Sequence, residues 1–360
     1  MFLEILRCKN FRNFREIELV LPPGRILIVG NNGVGKTNLI EMVYFLSVFS
    51  SFRTSNIENL LCFGKPYFVV SGIYGDTEIK ISYSKKREIF INDLPQKSLK
   101  ESFGKIPVVA LTNKDLVIID EEPSKRRHLI DLSISLYNRN YLNYLYEYRR
   151  VKKQRNSLLL EAKNGKEMKT LEIWNKQLIK FIYPIIEERK IFLEKLSDYT
   201  EKFFEYLCGE KVKIKYIPGG DYSDIENQLK KNIKKEIEMG YTLFGPHRDD
   251  IEIKINNKDA KGVLSFGMKK LLISSLKFAI SYILKETRKQ EPILVIDEML
   301  DGLDRKNADS LWEILSEFNQ VFITTTENTF KKEGNYNLYK IEEKDGTPIV
   351  RRCAEKIYSI

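Results

Sequence analysis

Apolar and polar residues alternate through residues 2–8 and 16–21, the period-two pattern of half-buried strands. Residues 25–29 form a short apolar run that stops at Gly30. Residues 37–48 are apolar enough to predict a buried helix. Alternation resumes at 67–74, 78–83 and 88–91, with Gly75-Asp76 and Ser84-Lys85-Lys86 between the runs, which predicts antiparallel hairpins. Residues 106–111 predict another buried strand.

The period changes at Pro123, a residue suited to the first position of a helix. Tyr141, Leu145 and Tyr148 follow steps of four and three, and Trp174, Leu178, Phe181 and Ile185 steps of four, three and four. Asn164-Gly165-Lys166 lies between the two patterns, so they predict two long helices folded back on each other. Strict heptads do not persist, which argues against a long coiled coil. Beyond Pro218-Gly219-Gly220 the pattern predicts strands at 241–243 and 251–255, a helix over 266–284, a buried strand at 293–296, a helix over 306–318 and a strand at 321–325. Apolar strands alternating with helices predict a parallel α/β sheet. The expected organisation is an α/β body over 1–122, an inserted helical arm over 123–240, and the body resumed over 241–360.

Composition narrows the function. The hydrophobic fraction, 42%, supports a packed core and excludes wholesale disorder. Only His128 and His247 are histidines, so a multi-histidine zinc site is excluded. Cys8, Cys62, Cys208 and Cys353 form no C-x-x-C pair and read as reduced thiols of a cytosolic protein. Apolar runs such as 43–50 fall short of the ~20 residues of a membrane span. Glu4 and Arg7 break any signal-peptide core, so a soluble, cytoplasmic protein with no membrane partner is expected. The net charge of +10 favours an anionic partner such as nucleic acid or nucleotide, unless a Lys/Glu-rich surface serves only solubility.

Gly30-Asn31-Asn32-Gly33-Val34-Gly35-Lys36-Thr37 satisfies the G-x-x-x-x-G-K-[ST] phosphate loop, between an apolar strand and a helix. Backbone amides would curl around a polyphosphate, Lys36 would reach the β- and γ-phosphates, and Thr37 would ligate magnesium. ATP and Mg²⁺ are the expected ligands. The run 293–296 ends in Asp297 and Glu298. Asp297 suits a magnesium ligand and Glu298 a general base for the attacking water. Ser265-Phe266-Gly267-Met268 opens a predicted helix. Ser265 is either a plain helix cap or, with Gly267, a site for a γ-phosphate supplied by another subunit, as in ABC-type ATPases. Asp301-Gly302-Leu303-Asp304 and Thr324-Thr325-Thr326 stand where such folds keep a D-loop and a switch residue, with Thr325 or Thr326 the expected switch.

Several blocks carry a resemblance: Asn10-Phe11-Arg12-Asn13-Phe14, the phosphate loop, Asn113-Lys114-Asp115-Leu116 with Pro123-Ser124-Lys125-Arg126-Arg127, Gln154-Arg155-Asn156, Gly245-Pro246-His247-Arg248-Asp249-Asp250, and the Ser265 segment. On these the chain resembles the RecF family of DNA recombination and repair ATPases, relatives of SMC heads, over nearly its whole length. Met268 stands where the family has Gln, Asn113 where Pro is common, and Glu298 where many members have Asp. The resemblance implies an ABC-type P-loop ATPase head with an N-terminal antiparallel β subdomain and an inserted helical arm. It implies a weak, DNA-stimulated ATPase that dimerises with ATP on single- or double-stranded DNA at gaps or junctions. It further implies RecR- and RecO-type partners and a role in loading recombinase. It makes Arg12 an ATP contact, a reading favoured over the alternative of a surface residue in an N-terminal hairpin.

Other residues stay open. His247 and Arg248 are expected to hold their segment onto the core by hydrogen bonds. Lys125-Arg126-Arg127 reads either as DNA-phosphate contacts or as a solvated helix start. Arg149, Arg150, Lys152, Lys153 and Arg155, with Tyr144 and Tyr148 interleaved, read either as a basic DNA-binding helix face or as solvated charge. Two further functions compete: an ATPase subunit of a membrane transporter, and a scaffold that binds nucleotide without hydrolysing it. A transporter subunit usually has a shorter insert and a histidine switch, and the intact Asp297-Glu298 pair argues against a scaffold.

Overall fold

The computed structural model describes residues 2–120, 122–165, 170–326, 335–344 and 346–353. The alternating N-terminal runs form one antiparallel sheet with strand order Phe14–Val20, Ile5–Phe11, Phe68–Tyr74, Thr77–Tyr83, Arg87–Ile91, Leu94–Pro95. Its apolar face buries Leu6, Phe11, Phe68, Ile79 and Ile81. Phe45, from the helix Lys36–Val48, meets Phe11 and Phe68 at ring-centroid distances of 6.0 and 5.8 Å. This helix is buried along most of its length, as its apolar sequence predicts.

A second sheet has the order Thr347–Arg352, Asn337–Lys344, Gly24–Val29, Gln320–Thr325, Ile293–Asp297, Val108–Thr112. All its pairings are parallel except the edge hairpin Asn337–Lys344/Thr347–Arg352. Its inner strands are apolar on both faces, as a parallel sheet covered by helices requires. The register sets Asp297 beside Thr324 and Val29 beside Thr325, so the phosphate loop and both acids leave the same carboxyl edge, where α/β sheets bind ligands.

The chain divides into two compact units: Met1–Leu116, Tyr206–Cys208 and Ser265–Ile360 form the first, and Val117–Glu205 and Gly209–Leu264 the second. The second contains the helices Pro123–Ser135, Arg139–Lys163 and Ile225–Met239, most of the helix Leu171–Cys208, and a small sheet of Val212–Ile217, Asp250–Ile255 and Lys258–Asp259. Residues 250–255 therefore pair with Val212–Ile217 rather than joining the parallel sheet, and residues 241–264 fall in this unit instead of the resumed body. Among the described residues the arm carries three helices over 123–208 rather than two, because Asn138 starts a new one by accepting the Tyr141 N–H at 3.0 Å. Of the turn at 164–166, Asn164 and Gly165 cap the helix, and Lys166 lies outside the described residues. The strand expected at 241–243 does not form. Asn156 accepts the Thr242 N–H at 2.9 Å and Glu236 accepts the Leu243 N–H at 2.8 Å, so side chains take the backbone donors a ladder would have used. Among the described residues no helix is long and apolar enough to cross a membrane.

Candidate functional site

The phosphate loop leaves the strand Gly24–Val29 at Gly30 and enters its helix at Lys36. At Gly30 a Cβ would stand 2.5 Å from the Ile341 carbonyl oxygen, and at Gly35, with φ of 118°, 2.9 Å from the Asn13 amide. Both positions need glycine for contact as well as conformation. Asn31 and Asn32 are exposed, Gly33 takes φ of 85°, and Val34 is buried beneath the loop. The buried Lys36 ammonium donates to the carbonyls of Gly30 at 2.9 Å and Asn31 at 3.2 Å and lies 3.3 Å from Glu298 Oε1.

Thr37 Oγ1 lies 2.9 and 3.0 Å from the two carboxylate oxygens of Asp297. The buried Thr324 hydroxyl donates to Asp297 Oδ1 at 2.7 Å and accepts the Glu298 N–H at 3.1 Å. One threonine thus fixes both acids; the sequence places Thr324 in the triplet at the switch position but does not signal this bridging role. Burial raises the Asp297 pKa against the hydrogen bonds of Thr324 and Thr37, with the Glu298 charge adding to the rise. Glu298 holds φ of 54°, a backbone state uncommon for a side chain this long, which turns its carboxylate back toward Lys36. The arrangement brings together Gly30, Lys36, Thr37, Asp297 and Glu298 at one edge of one sheet.

Other candidates stand apart from that cluster. Ser265 is exposed at the start of the helix Phe266–Arg288 and accepts the Met268 N–H at 3.3 Å. Among the described residues nothing lies within 4 Å of where a Gly267 Cβ would be, so none of them demands a glycine there by packing. Asp304 caps the helix Arg305–Leu315 by accepting the Asn307 N–H at 2.9 Å. Thr325 donates to Asp301 Oδ1 at 2.7 Å, and Lys270 donates to the Asp301 carbonyl at 2.6 Å, which ties that loop to the sheet and to the Ser265 helix.

Arg12 reaches Glu41 through two bonds of 2.8 Å and the Asn59 carbonyl at 2.7 Å. Its neighbour Asn13 is the residue of this turn that touches the loop, donating to the Val34 carbonyl at 3.0 Å. Asn38 donates to Asn13 at 2.8 Å and Arg53 to Asn38 at 2.6 Å, a relay from three separate segments.

In the second unit the Gly-Pro-His-Arg-Asp-Asp block is a buried hub. Asp249 accepts from Arg189 at 2.6 Å, Tyr216 at 2.5 Å, the Gly219 N–H at 2.8 Å, and Tyr222. Arg189 also binds Asp131 at 2.8 Å, and Arg126 forks onto Asp250 at 2.7 and 2.8 Å. His247 Nε2–H donates to the Thr242 carbonyl at 3.0 Å, so Nδ1 accepts from the Tyr148 hydroxyl at 2.5 Å. Burial, with the charge of Lys152, lowers its pKa to about 3. His247 therefore holds its segment as expected, whereas Arg248 is exposed beside the Tyr241 ring. Arg155 is not part of a basic surface: it is fully buried on Glu236 at 2.5 Å, Asn175 at 2.7 Å and Thr242 at 2.9 Å.

Known proteins resemble this chain over nearly its whole length. Residues 2–348 match the RecF/RecN/SMC N terminal domain family. The DNA replication and repair protein RecF of Ruminiclostridium cellulolyticum is 32% identical over 364 residues, covering 95% of this chain and 98% of its own. A solved structure described as "the recombination mediator protein RecF-ATP in RecFOR pathway" superposes with a TM-score of 0.90 at 32% identity, over 98% of each chain. An SMC head bound to the C-terminal winged helix of ScpA shares the fold at 16% identity with a TM-score of 0.59, over 98% of each chain. The fold is thus the α/β head of RecF and SMC proteins, an ABC-type ATPase head, and the expectation of a transporter subunit is set aside. The chain belongs to the RecF family of DNA replication and repair proteins.

Proposed function

We propose that the first unit binds and hydrolyses ATP, and that a dimer formed around two ATP molecules acts on DNA in recombinational repair. The observation that carries this reading is the meeting of Thr37 with Asp297 at 2.9 Å and of Lys36 with Glu298 at 3.3 Å on the sheet's carboxyl edge. The backbone amides of Gly30–Thr37 receive the polyphosphate. Lys36 exchanges its two loop carbonyls for phosphate oxygens, which are stronger partners. Thr37 and Asp297 offer the hard oxygens that suit Mg²⁺, an ion that needs few protein ligands beside phosphate and water. When bound, Mg²⁺ supplies charge neutralisation at the phosphates. Glu298 orients the attacking water and accepts its proton at the carboxylate, and Thr324 fixes the backbone from which it acts. Arg12 reaches nucleotide only by exchanging Glu41 for phosphate.

Ser265, Gly267 and Asp304 serve the partner's nucleotide. The exposed Ser265 hydroxyl and the open space at Gly267 suit a phosphate approaching from outside the chain, and the residue between them, Phe266, is 61% exposed. DNA, single-stranded or duplex at a gap or junction, is the proposed substrate surface, with stimulation of a slow ATPase as its effect. RecR- and RecO-type proteins are the proposed partners, by analogy with the pathway in the structural neighbour's description. Sedimentation with ATP, with and without a gapped duplex, paired with phosphate release, tests the reading. An ATP-dependent dimer whose phosphate release rises with DNA is expected; a monomer with full activity would refute it.

A further inference from the structure

A cavity of about 350 Å³ opens in the second unit between the helices Pro123–Ser135 and Arg139–Lys163 and the Pro246-His247 segment. Arg127, Arg149 and Lys152 line it, with Ser124 from the first turn of its helix. We propose that this cavity is a phosphate site for the backbone of DNA, an inference that rests on the DNA-binding reading above.

Asp131 and Asp249 are held by Arg189, and Asp250 by Arg126. Arg127 gives its guanidinium to the Asp249 backbone carbonyl at 2.7 Å, and Arg149 comes no nearer than 3.5 Å to Asp131. The Lys152 ammonium makes no hydrogen bond or ion pair among the described residues. Burial and the charges of Arg149, Arg248 and Arg127 all push its pKa down. Lys152, then Arg248 and Arg127, add to the burial that keeps His247 neutral. An ammonium half-buried among three guanidinium groups costs stability, and folds retain such strain where a ligand relieves it.

The missing partner is an anion, and the walls indicate which. Tyr148 is buried and bonded to His247, so its ring is no open platform for a base. Ser124 and Arg127, near the start of one helix, and Arg149 and Lys152, midway along the other, suit phosphate oxygens. Exposed Arg248, Arg149 and Lys153 continue the positive surface for neighbouring phosphates of one strand.

Lys152→Gln in the full chain is the test, because it removes a charge without removing a contact. DNA affinity is read by anisotropy across a salt series with a gapped duplex. The log–log salt slope should shrink by about one unit, and affinity at 0.1 M salt should fall about eightfold. The same variant should melt at a higher temperature than wild type, a gain that a structural role for Lys152 does not produce. Lys152→Arg should keep the slope, and Arg150→Gln, which removes a guanidinium already paired with Glu147, should leave it unchanged. An unaltered slope in Lys152→Gln, with wild type binding DNA, overturns the site alone. Wild type that binds no DNA overturns the broader reading together with the site. Inorganic phosphate that raises the melting temperature of wild type and not of Lys152→Gln, with equal DNA slopes, reassigns the cavity to free phosphate and overturns the DNA assignment.

Discussion

The phosphate-loop edge of the first unit and the arginine hub of the second both handle concentrated charge, and they do it by opposite means. At the loop, eight consecutive residues and one adjacent pair of acids carry nearly everything, and backbone shape sets the geometry. In the hub, Arg189 meets Asp131 and Asp249 from 58 and 60 residues away, and Arg126 meets Asp250 across 124. The loop keeps its amides available for a ligand. The hub satisfies each buried carboxylate internally, so its charges hold segments together. A site that reads anions with backbone is compact in sequence, whereas one that buries ion pairs is dispersed.

The largest effect that could break this contrast lies in the hub. Arg189→Leu leaves Asp131 and Asp249 buried with their main cation gone, and Arg155→Leu does the same to Glu236. Each should destabilise the second unit by about 3–5 kcal/mol, read as a lower urea midpoint. Replacing Arg155 and Glu236 together by Met and Leu should recover most of that loss, because no orphan charge remains. A double variant as weak as the single would mean that packing, not charge, holds this part of the arm.

At the loop edge the comparable lesion is chemical. Glu298→Gln keeps shape but cannot accept a proton, so phosphate release should fall about 10²–10⁴-fold while ATP still binds. Gly30→Ala tests the backbone half of the contrast. Its methyl would meet the Ile341 carbonyl oxygen at 2.5 Å, so the loop must shift, at about 1–3 kcal/mol of stability and with weaker ATP binding. Unchanged ATP affinity in this variant would move the phosphate site away from the loop.

How much of this could be read from the chain follows the same division. Gly30–Thr37, Asp297 and Glu298 are legible in the sequence, because their spacing is local and their flanking strands are strongly apolar. The parallel sheet followed from those strands. The links of the Asn13–Asn38–Arg53 relay and the bridge that Thr324 makes between the two acids are not legible in the sequence, since each depends on contacts between segments that sequence order does not bring together. The hairpin Asn337–Lys344/Thr347–Arg352 was missed because its charged edge blurs the alternation. Strand Val212–Ile217 does alternate, but it is short and abuts Pro218-Gly219-Gly220, so the sequence carries no expectation for it. Arg155 looked like one more cation on a basic face. Only its partners, Glu236 at 81 residues' distance and Thr242 at 87, reveal that it is buried.

The smallest predicted effect sharpens the contrast most, because it asks whether the loop edge sacrifices stability where the hub gains it. Burial holds the Asp297 pKa above the ordinary aspartate value of 3.8. Below that value the carboxyl is protonated in folded and unfolded chains alike, and no stability difference arises. As pH rises from 3.8 through the higher folded value, the unfolded chain gives up its proton first, so stability is lost across that window and the loss is complete at neutral pH. Asp297→Asn keeps an acceptor for the Thr324 hydroxyl but has no proton to lose. It should therefore be more stable than wild type at neutral pH, with the advantage vanishing toward acid, while Mg²⁺-dependent ATP binding weakens. Urea midpoints of both proteins across pH measure this. A difference that stays constant with pH, or favours wild type at neutral pH, would place Asp297 with the hub residues, as a structural carboxylate rather than one kept costly for a ligand.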